Sequence, residues 1–241
     1  KLGRSRSPEI FEVEGNNPIE LIKSKVEQAL EQLKTGIRLF SKHYTPRPHQ
    51  AWVNQEILNR FDGSKTIIQP LNLAARFGKT LQALSLFKDS NLKVMVVAGF
   101  WLAANESFVK TIKEGFDITS DVAIIKPDYE QFKNAIAKGQ RVLIDLSLHT
   151  ETNKIDSALI HDLSAYNSII YVDEADFGAW TLSSRKTLNL FLDKCINLVC
   201  VATGTNIDRA LIGTKGHIEA PITVSYLDLL EAKHGKGYLF E

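Results

Sequence analysis

Apolar and polar positions divide the chain into two parts of different texture. Through residues 18–40 the apolar side chains recur at steps of three and four, which places them on one helical stripe. A second helical stretch runs from about His49 to Phe61 and ends at an Asp-Gly turn signal. Residues 1–17 are polar and carry Gly, Ser and Arg, as is typical of a loose leader. We therefore predict a leader at 1–17 and an N-terminal helical extension at 18–62.

From residue 63 to residue 241, short apolar runs alternate with amphipathic stretches. The apolar runs, rich in Val and Ile, are Thr66–Leu73, Val94–Ala98, Val122–Ile125, Val142–Leu146, Ile169–Val172, Leu198–Ala202 and Ile222–Val224. The helical candidates are Thr80–Phe87, Ala103–Lys113, Tyr129–Ala137, Ile155–Leu163, Ser183–Leu192 and Ile207–Leu211. Buried strands separated by helices are typical of a mainly parallel sheet covered on both faces. The pattern predicts an α/β domain over residues 63–241.

The turn between the first strand and the next helix has the composition of a phosphate-binding loop. It reads Leu73-Ala-Ala-Arg-Phe-Gly-Lys-Thr80 and joins a predicted strand to a predicted helix, which is the context such a loop requires. Backbone N–H groups would wrap the β-phosphate, Lys79 would place a cation between the β- and γ-phosphates, and Thr80 would ligate Mg²⁺. The usual G-x-x-x-x-G-K-[ST] pattern is incompletely met, because Leu replaces the first Gly and bulky Arg and Phe replace small residues. An ordinary strand-to-helix turn is the alternative.

A second polar cluster ends the strand predicted at Ile169–Val172. The segment Ser168-Ile-Ile-Tyr-Val-Asp-Glu-Ala-Asp176 finishes in acids, and acids directly after a buried strand are costly unless a metal or a cation pairs them. At the carboxyl end of a parallel strand, Asp173 can hold Mg²⁺ through water, and Glu174 can polarise the water that attacks the γ-phosphate. The loop and the acidic strand together predict an ATPase with Lys79, Asp173 and Glu174 as its catalytic residues.

Composition narrows the class of protein without naming a partner. The chain's 241 residues are enough for one sizeable α/β domain with an extension. A net charge of +1 gives no general attraction to a polyanion, although a local basic patch would be hidden in that sum. Cys195 and Cys200 lie in an apolar run, as expected of buried thiols in a reducing compartment. The longest apolar stretch, Val94–Ala104, is too short to span a bilayer, so we expect no membrane partner.

Four segments in order along the chain carry a family resemblance. Tyr44-Thr-Pro-Arg-Pro-His-Gln50 comes first, followed by the phosphate loop, by Asp173-Glu-Ala-Asp176 and by Leu198-Val-Cys-Val-Ala-Thr-Gly-Thr-Asn206. They resemble, respectively, the adenine-recognising R-P-x-Q element and motifs I, II and III of superfamily 2 helicases and translocases of the DEAD/DEAH-like type. The resemblance implies a RecA-like P-loop fold in which the motif III strand lies between the strands that bear motifs I and II.

The same resemblance assigns roles to individual residues. Gln50 would pair with the adenine edge through its amide, and Arg47 would approach the phosphates or cap the following helix. The motif III residues Thr203, Gly204 and Thr205 would couple the nucleotide state to a second lobe by contacting the acids of motif II, including Asp176; a plain strand-end turn is the alternative. The implied ATP-binding residues are Arg47, Gln50, Ala75, Arg76, Phe77, Gly78, Lys79 and Thr80, and the implied Mg²⁺ ligands are Thr80 and Asp173.

Candidate nucleic-acid contacts follow the second and fourth strands. The usual Pro-Thr-Arg-like motif Ia is replaced by Ala98-Gly-Phe-Trp-Leu-Ala-Ala-Asn105. Within it, Gly99 permits close approach of the backbone to a phosphate, Phe100 can stack on a base, and Asn105 can contact a phosphate. Thr150 can contact the nucleic-acid backbone or cap the next helix. Core packing is the alternative for the aromatic residue.

The sequence thus predicts the ATP-binding and hydrolysing lobe of a superfamily 2 motor, with ATP and Mg²⁺ as cofactors and with DNA favoured over RNA. Its place would be the cytoplasm, or the host cytoplasm if a phage encodes it. Motors of this class use two such lobes with an arginine finger from the second, so we expect a second RecA-like lobe in cis or in another subunit. The alternatives are a DNA-packaging terminase-type ATPase and a non-catalytic nucleotide-binding scaffold.

Overall fold

The computed structural model describes residues 46–99, 108–112, 122–148, 155–173, 182–205, 207–211 and 216–230. The predicted leader and most of the predicted helical extension lie outside this part. The strands are β1 (Ile67–Leu73), β2 (Val94–Gly99), β3 (Val122–Ile125), β4 (Arg141–Ser147), β5 (Ser168–Asp173), β6 (Asn197–Thr203), β7 (His217–Ile218) and β8 (Ile222–Val224). The helices are α1 (Pro48–Arg60), α2 (Lys79–Asp89), α3 (Tyr129–Ala137), α4 (Ser157–Leu163), α5 (Leu182–Leu192), α6 (Ile207–Ala210) and α7 (Tyr226–Leu230), and residues 108–112 are also helical.

Every predicted strand is present, with ends within a residue or two of the prediction. The described helices also agree, although only residues 108–112 of the helix predicted at Ala103–Lys113 are described. β7 (two residues) and α7 (five residues) were not predicted. The α/β class expected from the alternation of runs is therefore confirmed.

The eight strands form one sheet in which all described pairings are parallel. Their order is β3-β4-β2-β5-β6-β1-β7, and β8 also pairs with β1. β6 thus lies between β5 and β1, with Val201 beside Val172 and Thr203 beside Asn72. This is the expected place of the motif III strand. The carboxyl ends of β1, β6 and β5 consequently lie side by side at one edge of the sheet.

The central strands β2, β5 and β6 are buried along their whole length, which explains why they are mainly apolar runs. One core cluster packs α1, α2 and the helical residues 108–112 against the sheet, and the other packs α3, α4 and α5. Successive side chains of β5 alternate between the two, since Ile169 and Tyr171 belong to the first cluster and Ile170 and Val172 to the second. The first cluster also contains Phe77, so it lies beneath the turn between β1 and α2.

β1 carries an interruption on the side that faces β7 and β8. Residues 67–68 pair with β7 and residues 71–73 pair with β8, so Gln69 and Pro70 fall between the two pairings. Proline has no N–H to donate to a ladder, and the connection is fastened by side chains instead. Gln69 Nε2 donates to the carbonyl of Ala220 over 3.0 Å, and Arg60 donates to the same carbonyl over 2.7 Å. In the described part of the chain, no helix is long and apolar enough to cross a membrane.

Candidate nucleotide site

Residues 74–78 form the turn from β1 into α2. The Ala74 N–H donates to the Val224 carbonyl over 2.9 Å, and the Phe77 N–H donates to the Ala74 carbonyl over 3.1 Å. Arg76 and Gly78 both have left-handed backbones, with φ of 65° and 87°. Turns that mix right- and left-handed residues can present successive N–H groups to an anion, and the first turn of α2 follows directly. The two left-handed residues are compatible with the predicted phosphate binding, which stays a prediction.

Phe77 anchors the loop to α1. Its side chain is buried, and its ring meets the ring of His49 edge-on at a centroid distance of 4.7 Å. His49 Nε2 also lies 3.4 Å from the Phe77 carbonyl oxygen. Loops of this kind usually have a small residue at this position. Phe77 is accommodated because its side chain packs beneath the loop. Only its backbone remains for the predicted phosphate contact.

Gln50 joins the loop to the start of α1. Its Nε2 donates to the carbonyls of Phe77 over 2.9 Å and of Gly78 over 3.1 Å, while its Oε1 accepts from the Arg47 N–H over 2.8 Å. Both amide hydrogens are thereby used, and the residue is only 1% exposed. Arg47 itself occupies the N-cap position of α1. Adenine recognition by Gln50 stays a prediction, and it would require the amide to leave the loop.

The ammonium group of Lys79 reaches across to the end of β6. A β-carbon built on Gly204 would lie 3.8 Å from Lys79 Nζ and 3.4 Å from the Leu73 carbonyl oxygen. Glycine at this position thus leaves room for the lysine and for the end of β1. The preceding Thr203 is buried, and its Oγ1 accepts from the Thr205 N–H over 3.2 Å. The predicted coupling turn therefore lies directly beside the predicted phosphate-binding lysine.

Asp173 ends β5 and is nearly buried, at 6% exposure. Its strand neighbours on the two sides are β6, which ends at Thr203, and β2, where Gly99 is its register partner. Asp173 thus lies at the same sheet edge as the loop. Glu174 and Asp176, the other predicted acids of this segment, lie outside the described residues.

The residues present fit a magnesium ion that arrives with nucleotide. Mg²⁺ is usually held by one or two protein oxygens together with substrate phosphates and several waters. The described residues contain no group of three or more potential metal ligands, and the pair predicted here, the Thr80 hydroxyl and the Asp173 carboxylate, meets the smaller requirement. Thr80 lies in the first turn of α2 and Asp173 ends β5. The distance between these two residues therefore depends on how far α2 lies from β5.

Of the predicted nucleic-acid contacts, only Gly99 lies in the described part of the chain. It ends β2 between Ser147 of β4 and Asp173 of β5, and its carbonyl accepts from the Leu148 N–H over 2.9 Å. Phe100, Asn105 and Thr150 lie outside the described residues. Gly99 is therefore placed at the same sheet edge as the nucleotide site, two strands away from the end of β6.

Reasoning from sequence missed a set of buried polar side chains beneath the loop: Asn54, Gln82, Ser85 and Tyr171. Each occupies a position that periodicity assigns to the apolar core. The sequence did contain a signal for this set. Gln82 interrupts the apolar stripe of α2, and Tyr171 interrupts the apolar run of β5. Buried polar groups require partners, and such positions are worth reading as a possible network.

The fold is similar to that of a helicase domain of known structure. The Hef helicase domain from Pyrococcus furiosus matches with a TM-score of 0.51 at 15% sequence identity, over 75% of this chain and 38% of that chain. The chain has the fold of a helicase RecA-like lobe. It spans well under half the length of the Hef structure, and no protein-family model or curated protein sequence matches it. In this RecA-like lobe, the loop, Asp173 and Gly204 share the carboxyl edge of the sheet.

Proposed function

We propose that the chain is the ATP-binding and hydrolysing lobe of a superfamily 2 nucleic-acid motor. The observation that carries the proposal is the meeting of three elements at one sheet edge. Lys79 at the start of α2 has its ammonium beside Gly204 at the end of β6, and β6 is flanked by β1 and β5, whose ends carry the loop and Asp173. Ligands of open parallel sheets bind outside the carboxyl ends of the strands, which supports a nucleotide here.

Each group has a distinct task in the proposed reaction. The loop N–H groups and Lys79 neutralise the β- and γ-phosphates, and Thr80 with Asp173 holds the Mg²⁺ that accompanies them. Glu174, by its place next to Asp173 in the sequence, would polarise the attacking water. Positioning and charge neutralisation provide most of the catalysis in phosphoryl transfer. The proposed reaction therefore requires few catalytic groups from this lobe beyond those named here.

The partners of this reaction are also proposals. The resemblance of the R-P-x-Q segment favours DNA over RNA as the nucleic acid along which the motor moves. Its proposed location is the cytoplasm, or the cytoplasm of the host cell if a phage encodes it. A second RecA-like lobe would close the nucleotide site and supply an arginine, which contributes about 10³–10⁵ in rate at related sites. This lobe taken alone should therefore bind Mg·ATP weakly, turn it over slowly and separate no strands.

The test compares Mg·ATP binding and turnover for the parent chain, for Lys79→Ala and for the control Lys133→Ala. Lys133 is an exposed cation of α3, far from the loop in sequence and fold. We expect saturable binding by the parent and by Lys133→Ala, and a loss of at least about tenfold in affinity and of all turnover in Lys79→Ala. Equal binding by all three, or none by the parent, would refute the proposal. The choice of nucleic acid is tested by adding DNA or RNA when a second lobe is present. We expect DNA, but not RNA, to stimulate ATP turnover.

A further inference from the structure

A chain of buried hydrogen bonds connects α1, α2 and β5 beneath the loop. Gln82 lies at its centre: its Nε2 donates to Asn54 Oδ1 over 2.7 Å, and its Oε1 accepts from the Tyr171 hydroxyl over 2.9 Å. Asn54 Nδ2 donates to Ser85 Oγ over 2.8 Å, and that hydroxyl donates to the Gln82 carbonyl over 2.9 Å. All four side chains are buried. We call these four residues the buried relay.

The relay crosses from the phosphate-binding helix to the acid-bearing strand. Gln82 follows Lys79 and Thr80 within the first turn of α2. Tyr171 precedes Asp173 by two positions on β5, and residues two apart in a strand project from the same face. The bond between the Tyr171 hydroxyl and Gln82 Oε1 therefore spans the gap between the element that carries one predicted Mg²⁺ ligand and the element that carries the other.

Hydrogen bonds set this spacing more narrowly than apolar packing would. An apolar contact tolerates some sliding of a helix over a sheet. A buried amide that loses its hydrogen-bond partners destabilises the folded state, so the hydrogen bonds resist such sliding. The Tyr171 ring is also held from its other side, since the ring of Phe108 meets it edge-on at a centroid distance of 6.0 Å. Both the ring and the hydroxyl of Tyr171 are thus fixed.

We propose that the buried relay is a positioning device for the nucleotide site, which sets the distance between Thr80 and Asp173 so that one Mg²⁺ can be held between them. None of the relay residues touches the nucleotide in this proposal. It rests on the proposed function above, because the ion is held only together with ATP. It predicts that the relay governs the Mg²⁺-dependent part of nucleotide affinity and leaves the part due to the loop and Lys79 unchanged.

The test uses Tyr171→Phe, which removes the hydroxyl and keeps the ring. The control is Ser168→Ala on the same strand, because Ser168 Oγ also donates a buried hydrogen bond, to Asn197 Oδ1 over 2.6 Å, but at the opposite end of β5. ATP affinity is measured with Mg²⁺ and with EDTA. We expect Tyr171→Phe to reduce the ratio of the two affinities by about five- to tenfold, the effect of one buried hydrogen bond, and Ser168→Ala to leave the ratio unchanged. An unchanged ratio in Tyr171→Phe, or an equal drop in both variants, would overturn the proposal.

A second variant separates positioning from general loss of stability. Gln82→Leu breaks the same link from the other side, and it should reduce the same ratio. If the relay acts as one unit, the double variant Tyr171→Phe/Gln82→Leu should show the effect of one substitution rather than the product of two. Multiplying effects would indicate independent structural damage and contradict the relay.

Amide hydrogen exchange without nucleotide distinguishes failure of this inference from failure of the proposed function. Tyr171→Phe should accelerate exchange at the start of α2 more than Ser168→Ala does, because only the first substitution removes a hydrogen bond between this helix and β5. If the parent shows no Mg²⁺-dependent affinity but the exchange result holds, the relay positions the helix and the ATPase assignment is wrong. If exchange in α2 is the same in both variants, the relay does not position the helix, whatever the parent binds.

Discussion

The side-chain nitrogen of Gln50 donates to the carbonyl oxygen of Gly78 over 3.1 Å, from the first turn of α1 to the last residue of the turn between β1 and α2. The fit between the two residues is close, because a β-carbon on Gly78 would lie 2.5 Å from that nitrogen. Gly78 is also left-handed, with φ of 87°. Glycine is thus required at position 78 for two reasons, the left-handed backbone and the close contact with Gln50. A substitution with alanine therefore has two separate costs.

Gly78→Ala should destabilise the chain more than Gly139→Ala does. Gly139 is left-handed too, with φ of 74°, but a β-carbon there would meet nothing within 4 Å. The Gly139 variant should lose only the backbone preference, about 1–2 kcal/mol, whereas the Gly78 variant must also displace Gln50. Urea unfolding measures the difference. Equal losses of unfolding free energy would show that the Gln50 contact imposes no constraint.

Gln50→Ala should weaken binding of ATP and GTP by a similar factor. The amide holds the loop, so its removal takes one donor from each of the carbonyls of Phe77 and Gly78. This loosens a surface that we expect to be common to all nucleotides. The control Gln55→Ala changes an exposed residue of the same helix. Competition binding decides the matter: a selective loss for ATP would instead support adenine recognition by Gln50, with the amide turning away from the loop.

Asp173→Asn should remove the benefit of Mg²⁺ from ATP binding. An amide carries no negative charge, so affinity with Mg²⁺ should fall by about tenfold or more while affinity in EDTA is retained or rises. Asp193→Asn, at an exposed position after α5, is the matched control. Isothermal titration with and without the metal checks this. A variant that still gains affinity from Mg²⁺ would exclude Asp173 as a metal-holding residue.

The two cysteines should resist alkylation until the chain unfolds. Burial raises the pKa of both the Cys195 and the Cys200 thiols, so neither is a thiolate at pH 8, where reagents attack ordinary thiols. The unfolded chain ionises near the usual thiol pKa of about 8.5. Because the folded pKa is the higher one, the contribution of these thiols to stability is full below that pH and declines above it. Labelling of Cys200 in the Cys195→Ser variant, with and without urea, measures the protection; rapid labelling without urea would contradict it.

The positions of the central strands could be predicted from the sequence because β2, β5 and β6 are buried along their whole length and consist mainly of apolar residues. The site edge was predictable for the same reason, since Asp173 and Thr203 each follow such a run directly. The engagement of Gln50 with the loop was not, because it depends on how α1 lies against α2, which no local pattern records. The partners of Gln82 were equally hidden. A polar residue on an apolar stripe indicates that a partner exists, but Asn54 and Tyr171 come from elements distant in the chain.

The break in β1 at Gln69 and Pro70 bears on how this lobe behaves in concentrated solution. The strands on that side, β7 and β8, are two and three residues long, and at the other margin β3 has four. Aggregation by strand addition needs a long, regular row of unpaired backbone groups. Neither margin of the described sheet has such a row of backbone groups. A strand from another copy of the chain would therefore find few groups with which to pair. Self-association, if it occurs, should proceed through side-chain surfaces and should leave no cross-β signature.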